Sequence, residues 1–142
     1  MNNYKEIAIN ALGNAGVSFS YAGENGCVRS DIKGIKRLMA LVDEGFSLAE
    51  GFTADKVVGK AAAFVMVYLG AKNVYAETLS EHAKKVFDKY GVNAEYKNLV
   101  PVIINRKGDG ICPMEETVLD IESPEKAIEA LKIKLESLAK NA

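Results

Sequence analysis

The chain has 142 residues, 49% apolar and 26% charged, with a formal net charge of −1. That length suits one domain, residues 1–142, able to bury its own core without disulfides or a metal. The near-zero, interspersed charge gives no basic face for a phosphate backbone, so nucleic acid is excluded as a general partner.

Residues 3–13 read as a first helix, with Tyr4, Ile7, Ala8, Ala11 and Leu12 on one face. Val17 to Tyr21 alternates as a strand, and Glu24-Asn25-Gly26 is a hairpin signal returning through Cys27 to Ser30. Gly34 and Gly45 bracket a short helix around Leu38, Met39 and Leu41. The next helix is predicted from Thr53, as N-cap, to Leu69, ended by Gly70. Asn73 to Thr78 is a strand, Ser80 caps a helix to Tyr90, and Val92 to Tyr96 is another strand. Val100 to Asn105 is β-branched and predicts a further strand, entered at an edge because of Pro101. Arg106 to Ile111 is a Gly-rich turn, and Cys112-Pro113-Met114-Glu115 looks like a capped turn. Ser123-Pro124 starts a last helix with Ala127, Ile128, Leu131, Leu135 and Leu138 on one stripe. Strands alternating with helices after a hairpin predict a mixed sheet with helices on both faces.

The longest apolar run, Ala61 to Leu69, is far shorter than the ~20 residues of a membrane helix, so no membrane partner is expected. Met1 to Glu6 lacks a basic run leading into an apolar core, and Cys27 and Cys112 form no framework pattern. A cytoplasmic, reduced protein is the expectation.

The segment from Thr53 carries the main functional signal. Its second half, from Ala61, is apolar on every side, as in a helix buried on every side. Its first half holds Asp55, Lys56, Gly59 and Lys60. On a helix, Lys56 and Lys60 share a face, and Gly59 marks a close approach by a neighbour or ligand. The helix start offers unpaired N–H groups to an anion or carbonyl oxygen. The same residues equally suit a structural role, with Asp55 complementing the helix dipole and both lysines reaching solvent.

The string Ala54 to Ala63, together with Val74-Tyr75-Ala76, Val100-Pro101, Ile104-Asn105-Arg106 and Cys112-Pro113-Met114-Glu115, resembles an uncharacterised prokaryotic family with a cytidine deaminase-like fold. The resemblance covers nearly the whole chain and implies a three-layer α/β sandwich. Zinc deaminases of that architecture use a His or Cys with a nearby Glu on the buried helix, and two Cys at the next helix start. Here those places read Asp55-Lys56 and Ser80-Glu81-His82-Ala83, so neither metal nor other cofactor is expected. Cys27, His82 and Cys112 are of ligand type, but their spacing matches no metal motif. The resemblance places Asp55, Lys56, Ser80 and Glu81 around one cleft, with Lys60 a turn deeper.

Three functions follow as expectations. The first is a metal-free small-molecule-binding domain with its pocket at the Asp55–Lys60 helix mouth, lined by Asp55, Lys56, Gly59, Ser80 and Glu81. There the ligand turns an anionic or carbonyl group toward Lys56, Lys60 and backbone N–H groups, with Asn105 and Arg106 as further donors or as turn-closing residues. The second is a metal-independent enzyme using Lys60 as base or Cys112 as nucleophile. The third is an interaction module, such as a homo-oligomer formed through a sheet edge or helix face.

Overall fold

The computed structural model describes residues 3–32, 35–105 and 107–140. Eleven elements follow in chain order: α1 (Tyr4–Ala11), β1 (Phe19–Gly23), β2 (Gly26–Ser30), α2 (Lys36–Glu44), β3 (Gly51–Val58), α3 (Lys60–Tyr68), β4 (Asn73–Ser80), α4 (Glu81–Lys89), β5 (Asn93–Val100), α5 (Pro113–Val118) and α6 (Pro124–Lys140). The strands form one mixed sheet in the order β2-β1-β3-β4-β5. β1 pairs antiparallel with β2 and β3, whereas β3, β4 and β5 run parallel. Helices lie on both faces. α1 packs Ala8 and Leu12 on Ala22, Phe52 and Ala54, and the larger core joins the other face to α2, α3, α4, α5 and α6.

Most predicted elements are present. The hairpin turns at Glu24-Asn25, with Gly26 at φ +117°. The Ser80 hydroxyl accepts from Ala83 N at 3.0 Å, and the Ser123 hydroxyl from Lys126 N at 3.4 Å. Gly45 ends α2 in the left-handed region at φ +69°, while its predicted counterpart, Gly34, lies outside the described residues.

Two expectations are corrected. The segment from Thr53 is not the start of the buried helix. Gly51–Val58 is the central strand β3, and the helix begins at Lys60 with Gly59 as N-cap. The physical reason is tertiary: β3 satisfies its backbone against β1 on one side and β4 on the other. Lys56 and Lys60 therefore do not share a helix face, and Gly59 is not in a helix interior. The second correction concerns residues 100–105. β5 extends to Val100 and stops before Pro101, which has no N–H to donate. Beyond it only the isolated bridge Ile104–Ile111 is strand-like among the described residues.

The registers align side chains into cross-sheet rows. Val28, Tyr21, Thr53, Val74 and Ala94 form one row on the face under α3. Ser30, Phe19, Asp55, Ala76 and Tyr96 form the next row toward the carboxyl end of β3. Thr53 is wholly buried among apolar neighbours, and its hydroxyl has no hydrogen-bond partner among the described residues. A buried, unpaired hydroxyl costs stability that an isosteric methyl does not. Thr53→Val is expected to stabilise the protein by about 1 kcal/mol in urea unfolding.

Candidate functional site

The expected ligand position, the start of the buried helix, is occupied by the chain itself. Gly59 brings α3 out of β3 in extended geometry, with φ −102° and ψ −174°. Its first two amides point at one carboxylate: Lys60 N donates to Glu115 Oε1 at 2.7 Å and Ala61 N to Glu115 Oε2 at 2.8 Å. Glu115 comes from α5 and is 3% exposed. A Cβ on residue 59 would strike its carboxylate, which explains glycine there. The positive helix terminus and the buried anion satisfy each other.

Lys60 completes the exchange. A cation at a helix start opposes the dipole, but its ammonium leaves α3 and donates to Leu119 O at 2.7 Å, at the carboxyl end of α5. Glu122 stands 3.7 Å from it, and the ring centroid of Phe64 lies 5.7 Å away. Lys60 is 7% exposed, so these partners replace its hydration. α5 thus gives an anion to the start of α3, and α3 gives a cation to the end of α5.

The other sequence-predicted residues divide. Val58 pairs with Leu79, so Gly59 and Ser80 emerge side by side from β3 and β4. Ser80 uses its hydroxyl as the cap of α4, and Glu81 is exposed. Lys56 is on β3, with its amide bonded to Ser18 O. Asn105 closes its own turn, donating to Asp109 Oδ1 at 2.8 Å. Arg106 lies outside the described residues. Cys112 caps the six-residue α5 through its backbone, its carbonyl accepting from Glu116 N.

Asp55 stands apart. It pairs with Phe19, the first residue of β1, and beyond Lys56, whose amide bonds Ser18 O, the pairing of β3 is with β4. Strand alternation directs it to the α3 face, between Phe19 and Ala76. Loss of hydration pushes its carboxyl from the ordinary 3.8 up to about 8, opposed only in part by the Val57 and Lys56 backbone amides. The shift favours the neutral form of the group. Ser30, in the same row beyond Phe19, borders a cavity of about 370 Å³ that also reaches Arg29 and Arg37. A larger cavity, about 590 Å³, lies at the opposite end, where Gly51, Asn73 and Asn93 begin their strands. Among the described residues no three His, Cys, Asp or Glu side chains are grouped to hold a metal.

Residues 7–135 match the family described as TM1506, a domain of unknown function (DUF1893). The chain belongs to this family. It is also similar to the crystal structure of a DUF1893 family protein (TM1506) from Thermotoga maritima, with a TM-score of 0.85 and 26% identity over 94% of this chain and 91% of that one. No curated protein matches it.

Sequence reasoning about this DUF1893 chain missed Glu115, because a surface-like Glu-Glu pair gives no hint that one member crosses 55 positions to cap another helix. The available signal was Gly59 beside a lysine at the head of an apolar run, which requires an anion from elsewhere. Glu115→Ala is expected to cost about 2–4 kcal/mol in urea unfolding, since two buried amides lose their acceptor. Gly59→Ala is expected to be strongly destabilising alone and nearly neutral in the Glu115→Ala background, a non-additivity read from the double-mutant cycle.

Proposed function

We propose that this chain is a small-molecule-binding domain on a cytidine deaminase-like fold, with Asp55 as the group that reads the ligand. The observation that carries the reading is the place of Asp55, a half-buried carboxyl on the α3 face of β3 between Phe19 and Ala76, where loss of hydration favours its neutral form. In open α/β sheets ligands gather outside the carboxyl ends of the strands, where the strand order reverses, and Asp55 lies three residues before the carboxyl end of β3. Shifted acids gather at such sites more often than elsewhere. The unpartnered Thr53 hydroxyl, two residues deeper on the same face, is a second polar group that the fold leaves unsatisfied.

The chemistry selects the ligand class. A neutral carboxyl donates a hydrogen bond, so Asp55 favours a carbonyl oxygen or another uncharged acceptor. An anion has less support, because the helix start expected to receive it holds Glu115. On the deaminase-like reading, the zinc-ligand positions carry Asp55-Lys56 and Ser80-Glu81-His82-Ala83, and the domain works without a metal. Catalysis by Lys60 has less support than binding, since its ammonium is already committed to Leu119 and Glu122. The family's own description, a domain of unknown function, names no substrate.

A thermal-shift screen of nucleobases, nucleosides, nucleotides and other carbonyl-bearing metabolites tests this. A hit is expected to persist in Asp55→Asn, which keeps a donor, and to vanish in Asp55→Leu. A library without hits, or a hit indifferent to Asp55→Leu, would reject the proposal. The titration itself has a direction. The folded carboxyl is weaker than the unfolded one, so its favourable contribution is complete below about pH 4 and is lost as pH rises through about 8. Asp55→Asn is therefore expected to gain stability relative to the parent between pH 5 and 8, by at most about 1.4 kcal/mol per pH unit. Unfolding curves for the two proteins across that range provide the measurement.

A further inference from the structure

β5 is an edge strand of eight residues, Asn93–Val100, and within the sheet it pairs with β4 alone. Its register against β4 runs from Asn73–Asn93 to Ser80–Val100, so its outer row of N–H and C=O groups has a similar length. Six of the eight residues are exposed, including Tyr96 at 40% and Leu99 at 41%. Proteins blunt such edges with prolines, bulges, short strands, covering helices or charged side chains, and of these β5 carries only the charges of Glu95 and Lys97. Here Pro101 comes only after the strand has ended. The opposite edge strand, β2, has five residues.

The side chains along β5 specify a partner. A twofold axis through Tyr96 would pair two antiparallel copies so that Glu95 of each faces Lys97 of the other. Both residues lie on one face, because they are two apart. The same axis sets Ala94 against Asn98 and Asn93 against Leu99. An axis one residue earlier opposes Glu95 to Glu95, and one residue later Lys97 to Lys97. Directly opposed like charges destabilise a sheet pair, whereas opposite charges support it. Glu95 already accepts an ion pair from Lys5 of α1 at 2.8 Å, which holds it on that face.

We infer that β5 is a self-association edge, on which a second copy of this chain pairs antiparallel about Tyr96 to give a closed dimer with one continuous ten-stranded sheet. The arrangement is isologous and consumes the β5 edge of both copies, so association through this edge ends at two. It is independent of the ligand reading, since Asp55 lies two strands away from β5.

Sedimentation equilibrium over a wide concentration range tests it, with circular dichroism confirming that these exposed substitutions leave the fold intact. The parent is expected to dimerise. Lys97→Glu, which leaves the Lys5–Glu95 pair untouched, and Glu95→Lys are each expected to weaken the dimer by about tenfold or more. Mixing the two variants is expected to restore association, because every opposed pair in the mixed dimer again carries opposite charges. A chain that stays monomeric throughout, or a dimer whose affinity ignores both reversals, would overturn the inference.

Discussion

The buried carboxylate of Glu115 is the constraint on which much of this structure depends. A helix start buried in a core exposes amides that no longer have water to bond, and a helix as apolar as α3 has no local side chain to cap them. Glu115 supplies both bonds at once. Its price is an anion without solvent, which the helix terminus offsets. Lys60 does the same in reverse for the carboxyl end of α5. Each short helix thus carries the group that the other lacks.

This exchange changes what the carboxyl end of β3 can do. The sequence suggests a positive helix start beside two lysines, a ready anion site. In the folded chain the anion is internal, one lysine is bound to a carbonyl, and the other lies on a strand. The sheet carries the remaining polar side chains of interest, with Asp55 and Thr53 in consecutive rows of one face. A half-buried carboxyl and a hydroxyl with no partner among the described residues weaken a fold whose other buried side-chain polar atoms, among those residues, are hydrogen-bonded.

Much of the architecture was legible from local signals. Asn25-Gly26, the Ser80 cap and the Ser123-Pro124 start act within a few residues and appear where those residues place them. The helices and hairpin sufficed to read a mixed sheet covered on both faces. β3 was not legible, because Asp55 and Lys56 interrupt its apolar alternation and its pairing partners are distant in sequence. The candidate site shows the same divide. Gly59 and Lys60 signalled that something sits at the helix start, but which group does so depends on a contact across 55 residues. Asp55 drew attention in the sequence as a charge at a helix start, whereas its surroundings in the fold come from β1 and β4 rather than from a helix dipole.

The closure of the α3 start is the central claim, and amide hydrogen exchange at Lys60 and Ala61 measures it directly. If Glu115 is a permanent cap, both amides exchange as slowly as that of Phe64, through global unfolding alone. Exchange at Lys60 and Ala61 much faster than at Phe64 would show that α5 lifts away in the native state, and that the helix start is open to an outside anion after all.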